Sequence, residues 1–103
     1  MGEVRKVRTL TELHEIMNGN DTVVLDLAAP SWCVPCQRLE PHFKKAAEKS
    51  DAAFVQVDIE DAEPDILNTY PTQTVPTVLL LRKGEETATL KGRTSVALLK
   101  EIS

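Results

Sequence analysis

The chain has 103 residues, 42% of them hydrophobic, with 12 Lys and Arg against 16 Asp and Glu for a formal charge of −4. That length builds one core and has no room for a second, so residues 1–103 are expected to form a single domain that carries the whole function. No basic cluster exceeds Lys44-Lys45 and no apolar run is longer than Val78–Leu81, which excludes a nucleic-acid footprint and a membrane span; with no apolar leader after Met1, the expected location is the cytoplasm.

Val4–Val7 predicts a short first strand, and Thr9 with Glu12 is a capping-box signature ahead of Leu10, Leu13, Ile16 and Met17 at helical spacing. That helix ends near Asn18-Gly19-Asn20. Thr22–Ala29 is nearly continuous apolar sequence, as expected of a strand covered on both faces, interrupted only by Asp26. Pro30 and Ser31 make a turn. From Cys33 a helix is expected to carry Leu39, Phe43, Ala46 and Ala47 on one face, with a bend at Pro41, which lacks an N–H and crowds the carbonyl of Gln37. His14 and His42 are expected to be partly exposed helix residues.

Ala53–Ile59 predicts the third strand. The acidic stretch Glu60–Asp65 is expected to be solvated and to start a short helix carrying Ile66, Leu67 and Tyr70. Thr77–Arg82 and Glu86–Lys91 form a hairpin across Lys83-Gly84, Gly92 closes it, and Thr94-Ser95 caps a last helix with Val96, Leu99 and Ile102 inward. The pattern β-α-β-α-β-α-β-β-α implies an α/β fold with a mixed sheet, parallel at first and antiparallel at the end, with helices on both faces.

The chemistry centres on Trp32-Cys33-Val34-Pro35-Cys36, which holds both cysteines of the chain at the junction of a buried strand and a helix. A helix starting at Cys33 puts both sulfurs in its first turn, close enough to form a disulfide ring. Its free N–H groups and positive dipole end favour a thiolate over a thiol. Free cysteine titrates near ~8.5 and is only about 3% thiolate at pH 7, so this placement matters for reactivity. Cys33, nearer the helix start, is the expected nucleophile, and Cys36 the thiol that resolves the mixed disulfide. In a reducing compartment such a pair is a working dithiol more readily than a structural staple. Half of a zinc site completed by His14 and His42 is the alternative, disfavoured because the histidines lack short ligand spacing. Trp32, at a turn before a helix, suits a binding rim better than a core position.

With Asp26 in a buried strand, Trp32-Cys33-x-Pro35-Cys36, Pro41 eight residues after the first cysteine, Val75-Pro76-Thr77 and a late Gly92, nearly the whole chain resembles the thioredoxin family. The resemblance implies a thioredoxin fold, a five-stranded mixed sheet in the order 1-3-2-4-5 flanked by four helices. It implies a protein-disulfide reductase in which Cys33 attacks, Cys36 resolves, Asp26 is a buried proton acceptor and Pro76 is a cis-proline facing the dithiol. It further implies that Trp32, Val34, Pro35, Thr74, Val75 and Gly92 line the substrate surface. No bound cofactor or metal is implied; electrons come from NADPH through a separate thioredoxin reductase, the other partners are disulfide-bearing target proteins, and the chain is a monomer.

The chain departs from the family pattern in several places. Val34 stands where glycine is usual, and seven residues rather than six separate Asp26 from Cys33. If the extra residue loops out, Asp26 stays beneath Cys36; if it slips the strand by one, Asp26 turns to the other face. Gln56 replaces the lysine that usually partners the aspartate, so burial is expected to raise the Asp26 pKa further. The family's second tryptophan has no counterpart around Ala28. Lys91 and Arg93 flank Gly92 where small or apolar residues are usual; two cations there either deepen the local positive potential or point into water. Two other functions stay open: a glutaredoxin-like glutathione-dependent reductase, disfavoured by the strand and helix before Cys33, and a non-catalytic docking subunit with the same fold.

Overall fold

A computed structural model describes residues 2–103. Its elements in chain order are β1 (Arg5–Lys6), α1 (Leu10–Gly19), β2 (Thr22–Ala28), α2 (Val34–Lys49), β3 (Ala53–Asp58), α3 (Pro64–Thr69), β4 (Thr77–Arg82), β5 (Glu85–Leu90) and α4 (Ser95–Ile102). The strands form one sheet in the order β1-β3-β2-β4-β5, parallel from β1 through β3 to β2 and antiparallel from β2 through β4 to β5. This is the expected thioredoxin fold, with β2 at its centre.

The strand alternation sorts the core into two layers. On one face Val23, Leu25, Leu27, Val55, Val57, Leu79 and Leu81 meet Leu13 and Ile16 of α1 and Ile66 of α3. On the other, Val24, Phe54, Val78, Leu80 and Leu90 meet Leu39, Phe43, Ala46 and Ala47 of α2 and Leu98 of α4. Phe43 and Phe54 lock α2 onto β3 in an edge-to-face pair with centroids 5.0 Å apart. The helix α2, which carries the dithiol, is therefore anchored to the middle of the sheet well behind its reactive end, and it continues through Pro41.

Local signals hold where they were strongest. Thr9 and Glu12 form the reciprocal capping box, and Thr94 caps α4 by accepting from the Ala97 N–H. The hairpin turn places both Lys83 (φ 52°) and Gly84 (φ 81°) in the left-handed region, the geometry that matches the twist of a two-residue hairpin.

Four expectations are corrected. Strand β1 is shorter than Val4–Val7, because only Arg5 and Lys6 pair with β3 at the sheet edge. Strand β5 starts and ends one residue earlier than expected, and a register shift opposite Leu80 and Leu81 puts a bulge in it. In α4 the inward positions are Ser95 and Leu98, with Leu99 and Ile102 partly covered, while Val96 is 65% exposed. Positions 95, 98, 99 and 102 share one helical face, which Val96 does not. The acidic stretch is more than solvated: Arg8 pairs with Asp61 at 3.0 Å and with Glu63 at 3.4 Å, and Asp65 accepts the Leu10 N–H at 3.3 Å. These bonds are exposed and individually weak, but together they join α3 to the start of α1.

Candidate active site

The site forms where β2 ends and α2 begins, at the carboxyl ends of the central parallel strands. Ala29 starts the turn, and its carbonyl accepts from Trp32 N at 3.2 Å and from Cys33 N at 2.9 Å. Gln37 donates its side-chain amide to the Pro30 carbonyl at 2.8 Å, and Ser31 donates its hydroxyl to Glu60 at 2.6 Å. The turn is thus held from the helix behind it and from the loop after β3. Neither side-chain bond was legible in the sequence, since each depends on how the turn is packed.

Cys33 is the N-cap residue of α2, a position usually filled by an oxygen-bearing side chain. Its sulfur accepts the Cys36 backbone N–H at 3.2 Å. An N–H of the first helical turn aimed at sulfur, with the helix dipole behind it, stabilises negative charge there. Pro35 occupies the first turn without disturbing this, because its missing N–H would have had no helical partner. Cys33 and Cys36 form a disulfide, with Cα atoms 5.2 Å apart. Cys33 is 4% exposed and Cys36 1%, beside Trp32 at 59% and Val34 at 50%. Both cysteines are thus buried, Cys36 the more completely, and Cys33 lies between two large apolar side chains that face solvent.

The Val75–Pro76 peptide is cis. The Val75 carbonyl oxygen lies 3.7 Å from Cys33 Sγ, so the loop before β4 closes over the dithiol from the opposite side. Thr74 is exposed in that loop, and its carbonyl accepts the Thr77 hydroxyl. Gly92 follows β5, and a side chain there would be blocked: a Cβ would lie 2.7 Å from the Ala97 Cβ and 2.8 Å from Glu101 Oε2. Glu101 fixes the loop by accepting from Lys91 N at 2.9 Å and Gly92 N at 2.7 Å. Arg93 is exposed, but it does not simply point into water. Its guanidinium donates to the carbonyls of Leu90, Gly92 and Pro76 at 3.2, 2.9 and 3.5 Å.

Asp26 lies opposite Gln56 on β3 and Val78 on β4. It shares a sheet face with Val24, which packs on α2, and with Ala28, which packs with Ala29, Cys33 and Cys36. The extra residue is therefore absorbed in the turn from Ala29 to Cys33, and Asp26 keeps the face that α2 covers. It is fully buried, with Oδ2 at 3.5 Å from the Gln56 amide and Oδ1 without a partner among the described residues. Burial pushes its pKa up to about 6; the Gln56 bond and the Arg93 charge draw it down, and the Glu40 charge pushes it up. At pH 7 about a tenth of it is protonated. A cavity of about 310 Å³ beside β1, lined in part by Lys6, Glu40, Phe43 and Gln56, reaches the residue that holds this acid.

His14 is exposed on α1 and His42 half-buried on α2, and among the described residues no group of three or more His, Cys, Asp or Glu gathers around a point. Among those residues, too, no helix is long and apolar enough to cross a membrane.

Residues 4–103 match the family model described as Thioredoxin. Thioredoxin from Mycoplasma genitalium is 38% identical over 84 residues, covering 81% of this chain and 80% of that protein. The protein named Thioredoxin-3, mitochondrial, from Saccharomyces cerevisiae is 32% identical over 100 residues, covering 96% of this chain and 77% of that one. Among solved structures, a mutant thioredoxin from Halobacterium salinarum superposes with a TM-score of 0.87 at 35% identity, covering 97% of this chain and 88% of that chain.

Proposed function

This chain belongs to the thioredoxin family and is a thiol-disulfide oxidoreductase acting on proteins, and we propose that Cys33 is its nucleophile, Cys36 its resolving thiol and Asp26 the base that serves the second step. In the reduced chain the Cys33 thiolate attacks one sulfur of a target disulfide. A Cys33–target disulfide forms, the target's S–S bond breaks, and the released target thiolate takes up a proton. Asp26 then removes the Cys36 proton, the Cys36 thiolate attacks Cys33 Sγ, and the second target sulfur leaves as a thiolate that is protonated in turn. Two electrons and two protons have passed to the target, and the chain is left with the Cys33–Cys36 disulfide seen in this structure. Trp32, Val34, Pro35, Thr74, Val75, Pro76 and Gly92 form the surface on which the target segment lies, with the backbone at Thr74 and Val75 available for strand-like pairing.

The observation that carries this division of labour is the N-cap sulfur: Cys33 Sγ, and not Cys36 Sγ, receives the first-turn N–H. Asp26 has the right form for a base, because a carboxyl titrating at about 6 is mostly ionised at neutral pH. The oxidised chain is returned to the dithiol by NADPH through a separate thioredoxin reductase, and it works as a monomer in the cytoplasm. The family match favours this over a glutathione-dependent reductase or a docking subunit. Two variants test the roles. Cys33→Ser abolishes reduction of a test disulfide with NADPH and thioredoxin reductase, whereas Cys36→Ser attacks once and accumulates as a mixed disulfide visible by mass spectrometry. Accumulation on the Cys33→Ser protein instead would reverse the assignment.

A further inference from the structure

The Arg93 guanidinium joins the loop after β5 to the Val75–Pro76 loop that borders the dithiol. It reaches Leu90 and Gly92 on one side and Pro76, seventeen residues earlier, on the other. A guanidinium has five N–H donors in a planar fork, and three carbonyl contacts leave two of them free. Arg93 is exposed and makes no ion pair among the described residues. Lys91 is exposed as well. The carboxylate at this loop, Glu101, already accepts from the Lys91 and Gly92 backbone and so is held in place. Lys91 and Arg93 are the two cations of this loop; Glu101 is tied to its backbone N–H groups, and the other carboxyl that feels the Arg93 charge, Asp26, is buried. The planar fork is fixed there by its carbonyl contacts, whereas among the described residues no hydrogen bond holds the Lys91 ammonium.

Building on the reductase reading, we infer that Arg93 is a specificity-determining residue, which pins the Gly92 loop to Pro76 and presents its remaining donors to a carboxylate close to the target's disulfide. The preferred substrates are protein segments with Asp or Glu beside the reactive cystine. Arg93 meets them as a pre-oriented, charge-assisted donor, so little side-chain freedom is lost on contact. Lys91 adds to the field without setting the preference.

The test measures second-order rates of reduction for three disulfide peptides that differ only in flanking Glu, Gln or Lys, using the full chain at low and high ionic strength. The Glu peptide is expected to exceed the Gln peptide by about two- to fivefold at low salt, the range of an exposed ion pair, with the ratio falling toward one as salt rises. Arg93→Gln should bring the ratio to one and Arg93→Glu should shift the preference to the Lys peptide, while Lys91→Gln retains most of the ratio. Equal rates for the three peptides in the parent chain, or loss of the ratio in Lys91→Gln as complete as in Arg93→Gln, would overturn the inference and leave the reductase reading standing. Failure to reduce any peptide would overturn both. Should the Arg93 variants lose thermal stability, the parent chain's salt-dependent peptide ratio and its retention or loss in Lys91→Gln still decide the matter.

Discussion

Replacing Asp26 by Asn removes the one buried acid of the central strand and keeps its shape. The folded-state pKa of about 6 lies above the ordinary aspartate value of 3.8, so the carboxyl binds its proton more tightly in the folded chain than in the unfolded one. Below pH ~4 both states hold the proton and the acid costs nothing. Between pH ~4 and 6 the unfolded state has ionised while the folded state still holds its proton, so stability is lost across this window and levels off above 6. Two pKa units of difference correspond to about 3 kcal/mol at neutral pH, approached at up to about 1.4 kcal/mol per pH unit. The orphaned Oδ1 is the structural reason: Gln56 supplies one neutral amide at 3.5 Å, too little to replace water around a carboxylate. Urea unfolding of the oxidised chain and of Asp26→Asn should therefore give curves that nearly meet in their pH-dependent part at pH 4 and separate by about 3 kcal/mol at pH 7 to 8, the variant being the more stable. Other titrating groups cancel in the difference. A gap that does not change between pH 4 and 8, or one that closes as pH rises, would refute the reasoning.

Two further outcomes follow from the same geometry. With Cys33 loaded as a mixed disulfide, release by Cys36 should slow as pH falls through about 6, where Asp26 takes up its proton, and this inflection should vanish in Asp26→Asn; stopped-flow release of a chromophoric thiol measures it, and an unchanged inflection in the variant would assign the base elsewhere. Gly92→Ala should lower the unfolding free energy by about 1–3 kcal/mol, because its Cβ would sit 3.0 Å from backbone carbon of Ala97 and crowd the Glu101 carboxylate that fixes the loop, and a parent-like melting temperature would show that the loop yields freely.

What the sequence determined by itself rests on short-range physics. The capping box of Thr9 and Glu12, the strand-to-helix junction at Cys33, and the fully covered strand around Asp26 each depend on neighbours a few residues away, so spacing and residue type were enough. The order of the sheet followed from resemblance, which also placed the dithiol opposite Pro76. The tertiary structure alone decided on which face Asp26 lies. A one-residue insertion can be absorbed by a turn or by a strand, and the pairing of Asp26 with Gln56 and Val78 leaves the turn from Ala29 to Cys33 to take it up. It also decided that Leu98 rather than Val96 faces the core, because the rotation of α4 is set by its packing on α2 and the sheet, not by its cap. The acidic stretch and Arg93 were visible as charges, but their partners lie far along the chain: Arg8 stands 53 residues from Asp61, and Arg93 stands 17 from Pro76. Charged side chains carry no periodic signature of what they will meet, and only the folded backbone brings those donors and acceptors within reach.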